Sequence, residues 1–149
     1  MLRIQTILVP TDFSEVSAPV LQVAQALARD HQAKLVLMAA PPPPPPSAEV
    51  YVPFSDYAGL TAEAQRQLDA LTQEISGLPV ETKVQVGEPG PTIVETARTC
   101  HADLIVMGTH GRTGLTRLLM GSVAEYVLRY APCPVLTIKP ATVEHLKTD

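Results

Sequence analysis

The sequence predicts an α/β fold, a parallel sheet with helices on both faces. Short apolar runs of strand length alternate with longer segments whose apolar residues recur every three or four positions. Five runs and four segments follow one another as β-α-β-α-β-α-β-α-β. Strands joined through helices return in the same direction by right-handed crossovers, which covers both faces of the sheet. The 149 residues show no internal repeat and read as one domain over 1–149, long enough for a proper core.

Each element has its own signal. Ile4–Val9 is apolar and stops at Pro10, which marks a first strand. Val20, Val23, Ala24 and Leu27 then lie on one helical face, with Ser14 or Ser17 as the cap. Lys34–Ala40 is a second apolar strand. It ends at six consecutive prolines, Pro41–Pro46, which lack the N–H a sheet ladder needs and favour an extended polyproline conformation. Pro41–Gly59 is therefore read as an exposed excursion within the single domain. Leu60, Ala64, Leu68, Leu71 and Ile75 mark a helix that Thr61 can cap and that Gly77 and Pro79 close.

Val80–Val86 alternates apolar and polar residues, the pattern of a strand with one exposed face. Gly87 to Pro91 reads as a turn, with Pro91 at the first position of a helix whose apolar side is Ile93, Val94 and Ala97. Asp103–Gly108 is a buried-type strand. Gly121–Tyr130 is the last helix, with Val123, Ala124, Val127 and Leu128 expected inward, and Pro134–Lys139 is the last strand. Ala141–Asp149 carries no clear pattern.

Composition narrows the function. Apolar residues make up 46% of the chain, which argues against disorder, and the formal net charge is −4. That balance weighs against sequence-independent nucleic-acid binding and against an anionic membrane surface. It leaves open a small anion held by backbone N–H groups. Runs such as Leu104–Met107 fall far short of the ~20 apolar residues that span a bilayer. The N-terminus lacks an apolar signal region. Cys100 and Cys133 show no metal-ligand spacing and read as reduced thiols, so a cytoplasmic protein is expected.

In a doubly wound sheet, ligands sit beyond the carboxyl ends of the strands, where the winding reverses. The loop after the first strand, Val9–Ser14, contains no glycine, so the dinucleotide fingerprint is absent there; the P-loop pattern is absent from the whole chain. The loop after the fourth strand reads Gly108-Thr109-His110-Gly111-Arg112-Thr113-Gly114 and reaches Gly121-Ser122-Val123. Four of the eight glycines fall between 108 and 121, where they permit left-handed angles and close approach of a ligand to the main chain. Successive N–H groups in such a loop form an anion-binding concavity. The helix start at Gly121 and Ser122 favours phosphate by up to ~2 kcal/mol. The Ser122 hydroxyl either caps that helix or donates to phosphate, and Thr109, His110, Arg112 and Arg117 add donors. The plainer alternative is that these glycines only shape a loop and cap a helix.

Gly108-x-x-Gly111, nine residues, then Gly121-Ser122 resembles the G-2x-G-9x-G-[S/T] signature of ATP-binding universal stress proteins. Val9-Pro10-Thr11-Asp12, Asp103–Gly108 and Ala131–Leu136 agree, and the resemblance runs from Ile4 to Pro140. It implies a five-stranded parallel sheet of order 3-2-1-4-5 in a Rossmann-like three-layer sandwich, the adenine nucleotide alpha hydrolase-like fold. It implies a nucleotide-responsive stress or signalling module that binds ATP, with or without Mg²⁺. Pro10, Thr11, Asp12 and Ala40 would then hold adenine and ribose. Met107 and Gly108 would lie against the sugar, and Gly111, Gly121, Ser122 and Val123 would contact phosphate. His110 and Arg112 join them on their own chemistry, as a donor and a fixed cation, with a solvated surface side chain as the alternative for each. Asp12 has a second possible role as a turn or helix cap.

The chain departs from the pattern after the second strand. Ala40 keeps the N–H and C=O that an adenine edge requires, but Pro41 onward offers no N–H. Tyr51, Phe54 and Tyr57 follow; anchoring the excursion is favoured over covering a ligand or a partner surface. Members of the family pair the last strand with its twin, which implies a homodimer through Val135–Ile138. Asp12 is the one carboxylate near the site, and Glu125 is expected to face solvent. ATP hydrolysis is therefore expected to be weak at most, with no catalytic residue and no protein metal site. The alternatives are a slow ATPase and an interaction protein of the same fold that takes no nucleotide.

Overall fold

The computed structural model describes residues 1–44, 57–110 and 120–139. Its elements are β1 (Thr6–Pro10), α1 (Ser17–His31), β2 (Lys34–Ala39), α2 (Tyr57–Gln73), β3 (Val80–Val84), α3 (Pro89–Thr99), β4 (Leu104–Gly108), α4 (Ser122–Tyr130) and β5 (Val135–Ile138). The strands form one sheet in the order β3-β2-β1-β4-β5, and all four neighbouring pairs are parallel. The winding reverses between β1 and β4, which leaves a crevice at their carboxyl ends.

Strand side chains alternate between two cores. Ile7, Val9, Leu35 and Leu37 join Val20, Ala24, Ala64 and Leu68, so α1 and α2 cover one face. Leu8, Val36, Met38, Ile105 and Met107 join Ile93, Ala97, Ala124 and Val127, so α3 and α4 cover the other. β1 and β2 are buried on both sides, which explains their nearly continuous apolar sequence. Just before β4, Asp103 Oδ2 accepts the N–H groups of Gln5 (2.9 Å) and Thr6 (3.0 Å), while the Asp103 N–H donates to the Thr6 carbonyl (2.9 Å). These three bonds set the β1–β4 register from outside the ladder.

Several local expectations change. The cap position of α1 is Val16, with no side-chain cap. The Ser17 hydroxyl donates to Asp12 Oδ1 instead (3.2 Å), and the Ser17 N–H donates to the Ser14 carbonyl. α2 begins at Tyr57, so residues 57–59 are helical and the excursion stops short of Gly59. Thr61 therefore lies inside the helix, its hydroxyl donating to the Tyr57 carbonyl rather than capping the start. α3 begins at Pro89, not Pro91; both prolines fit a first turn whose N–H groups have no partner in any case. Ser122 does not cap α4: Gly121 holds the cap position and no side chain bonds there. Leu128 is 42% exposed rather than inward, because short α4 rests on the sheet through Ala124 and Val127. Glu125 is exposed as expected and pairs with Arg129.

Edge strand β3 shows the expected alternation, and its outward Glu81 pairs with Lys34 at 2.9 Å. The expectations for Tyr51, Phe54, Gly111, Arg112, Thr113, Gly114, Arg117 and Ala141–Asp149 lie outside the described residues.

Candidate functional site

The crevice at the reversal point is a cavity of about 440 Å³. Pro10, Thr11, Asp12, Ala40, Met107, Gly108, His110, Gly121, Ser122 and Val123, all named above as candidate site residues, line it together. Gly111 and Arg112 lie outside the described residues.

One wall is the end of β2. The ladder continues past the strand: Gln85 N–H donates to the Ala39 carbonyl (3.1 Å) and Gly87 N–H to the Pro41 carbonyl (3.0 Å). On the other side, Thr11 N–H donates to the Met38 carbonyl (2.9 Å). Ala40 sits between these bonds. Among the described residues, neither its N–H nor its C=O has a backbone partner. One donor and one acceptor thus stand side by side at the cavity wall.

The opposite wall is the start of α4. Its first helical bond runs from Glu125 N–H to the Gly121 carbonyl (3.0 Å), and no side chain caps it. Among the described residues, the N–H groups of Ser122, Val123 and Ala124 have no partner, and all three residues line the cavity. The positive end of the helix therefore faces the cavity, its first donors without partners among the described residues.

Gly108 and Gly121 act through close approach and not through left-handed angles, since neither has a positive φ. A Cβ at 121 would stand 3.1 Å from the Thr109 carbonyl oxygen, and one at 108 would stand 3.3 Å from the His110 carbonyl oxygen. Side chains there would fill the floor of the cradle.

The β1–α1 loop is held by its own polar groups. Asp12 Oδ1 accepts from Ser14 N–H (3.0 Å) and from the Ser17 hydroxyl. Thr11 Oγ1 accepts from Phe13 N–H (3.0 Å) and donates to Ser17 Oγ (3.1 Å). Phe13 is left with φ +63°, an uncommon angle for a bulky residue. Asp12 thus serves as a turn residue while lining the cavity. His110 Nδ1 lies 2.9 Å from Thr109 Oγ1, so that hydroxyl is already engaged.

Sequence reasoning missed several of the lining residues, among them Ser14, Pro89 and Ile93. Ser14 lines the cavity, and its Oγ is buried without a hydrogen-bond partner. Pro89 and Ile93 bring α3 to the rim. Spacing showed that Ile93 faces inward, but not that its turn reaches the ligand cleft. Among the described residues, no group of three or more His, Cys, Asp or Glu side chains gathers to hold a metal ion.

The donor set fits a nucleotide. Free helix N–H groups suit phosphate, the Ala40 edge suits a base that offers one donor and one acceptor, and Ile93 and Met107 suit its apolar face.

Comparison with known proteins agrees in family. The model of the Universal stress protein family matches residues 3–139, and the chain belongs to that family. It is 37% identical to Universal stress protein MJ0531 of Methanocaldococcus jannaschii over 89% of this chain and 81% of that protein. The solved structure of the hypothetical protein MJ0577, from the same organism, superposes with a TM-score of 0.76 at 30% identity, covering 91% of this chain and 95% of that one. A universal stress protein solved in complex with cAMP superposes with a TM-score of 0.61 at 28% identity, covering 91% and 97%. Within the described residues, no helix is long and apolar enough to cross a membrane.

Proposed function

We propose that this cavity binds an adenine nucleotide, with ATP as the main ligand, and that the chain acts as a nucleotide-responsive stress or signalling module in the cytoplasm. The observation that carries the reading is a set of backbone groups, facing one another across one cavity, that have no partner among the described residues. The Ala40 N–H and C=O stand on one side, and the Ser122, Val123 and Ala124 N–H groups on the other. The relative in complex with cAMP supports an adenine ligand.

In this reading, Ala40 pairs with the adenine edge while Pro10 and Met107 flank the base and sugar. Asp12 faces the ribose. Gly121, Ser122 and Val123 hold phosphate oxygens, with Gly111, His110 and Arg112 from the same loop adding donors. Mg²⁺, when present, enters with the triphosphate, which supplies its ligands. Asp12 is the one carboxylate among the lining residues, so hydrolysis is weak at most.

The dimer follows from the edges. β3 presents charged Glu81 and Lys83, a common guard against pairing, whereas β5 is the uncharged Val-Leu-Thr-Ile with Leu136 37% exposed. A second copy pairing with β5 gives a two-fold homodimer.

Thermal unfolding with AMP, cAMP, ADP and Mg-ATP tests the ligand. Nucleotide at about 1,000 times its dissociation constant stabilises the fold by ~4 kcal/mol. No shift with any of the four, and no nucleotide carried through purification, would leave a protein of this fold that works through its surface alone.

A further inference from the structure

Gly90 is buried in the first turn of α3, between Pro89 and Pro91. Glycine is a poor helix residue, and this one has no positive φ to require it. The reason for its presence lies on α4. A Cβ at position 90 would stand 2.9 Å from both Cγ and Cδ1 of Tyr126 and 3.1 Å from Tyr126 Cβ. The ring therefore lies directly on the Gly90 backbone. The Tyr130 ring packs against it with centroids 4.6 Å apart, and Tyr126 is 36% exposed.

This contact joins two walls of the cavity. Pro89, the neighbour of Gly90, and Ile93, one turn further on, line the cavity from α3. Ser122, one turn before Tyr126, opens α4 and lines it from the other side. The depth to which Tyr126 settles on Gly90 thus sets the distance between the helix end that faces the phosphates and the rim formed by α3.

We propose that Gly90 and Tyr126 are positioning residues for the nucleotide site, fixing the α4 start at the spacing that lets base and phosphates bind together. The inference rests on the adenine-nucleotide reading above. A methyl group at 90 must push Tyr126, and α4 with it, away from α3. Phosphate contacts then suffer more than base contacts, because Ala40 belongs to β2 and does not move with α4.

Calorimetric titration of the full chain with ATP and with adenosine tests this in the wild type, Gly90→Ala, Tyr126→Leu and Tyr126→Phe. Tyr126→Phe keeps the ring and should bind as the wild type. Gly90→Ala and Tyr126→Leu should each lose roughly tenfold or more in ATP affinity while adenosine changes by less than about threefold. The ATP-to-adenosine ratio is the readout that general destabilisation would not move, and Tyr126→Leu covers the case in which Gly90→Ala folds poorly. An unchanged ratio in both variants overturns the inference and leaves the nucleotide reading standing. A wild type that binds neither ligand overturns both.

Discussion

The Gly121 N–H donates to the Thr109 carbonyl at 2.6 Å, and this bond fixes where α4 starts relative to the end of β4. The same carbonyl oxygen would be 3.1 Å from a Cβ at 121. Gly121→Val therefore pushes a branched side chain against the Thr109–His110 backbone, which must shift to take it. The expected result is a loss of ~1–3 kcal/mol in stability, as for an overpacked site, together with loss of the thermal shift with ATP. Denaturant unfolding and thermal melts, each with and without nucleotide, measure the two effects separately.

Ser122→Ala separates two roles for one hydroxyl. The side chain makes no cap bond and is exposed. Its removal should change stability by less than ~0.5 kcal/mol, below the usual cost of a lost cap. ATP affinity should fall severalfold, because a phosphate donor is lost. A stability loss above ~1 kcal/mol would mean that the hydroxyl caps the helix after all.

Asp103 is the fastener between β1 and β4. Its carboxylate accepts two backbone N–H groups at the margin of the core. Asp103→Ala leaves both without that acceptor and should cost ~1–3 kcal/mol in urea unfolding. Asp103→Asn retains one acceptor oxygen and should cost less.

The two thiols give the fold an alkaline limit. Burial pushes the Cys100 pKa up, and burial with the nearby Cys100 and Asp103 pushes up that of Cys133. An unfolded thiol ionises near pH 8.5. Below that pH the folded and unfolded thiols are both neutral and this contribution to stability is whole. As the pH rises towards the folded values, only the unfolded chain ionises and the contribution is lost. Both thiols should react slowly with a disulfide reagent at pH 7, and a Cys100→Ala, Cys133→Ala double variant should lose less stability between about pH 8 and 10.

Edge pairing predicts the oligomer. Leu136→Lys places a charge on exposed β5. Sedimentation should show a dimer for the wild type and a shift towards monomer for the variant. A wild-type monomer at micromolar concentration contradicts the dimer.

The sequence by itself determined the alternation of elements, because apolar periodicity follows directly from the 3.6-residue helix and the two-residue strand. It also marked the Gly108 and Gly121 positions, where an added Cβ would stand within 3.3 Å of a backbone carbonyl oxygen. Helix starts were less legible. Tyr57 and Pro89 begin helices ahead of the expected positions, since the first turn needs no partner for its N–H groups and tolerates many residues. Local pattern did not bring Ala40 to the start of α4; that came from the family resemblance, and in the structure the strand order, a long-range property, sets both in one crevice. Tertiary structure alone seated Tyr126 on Gly90 and left Leu128 exposed. Local pattern tells a residue which face it occupies; packing between distant segments decides what that face meets.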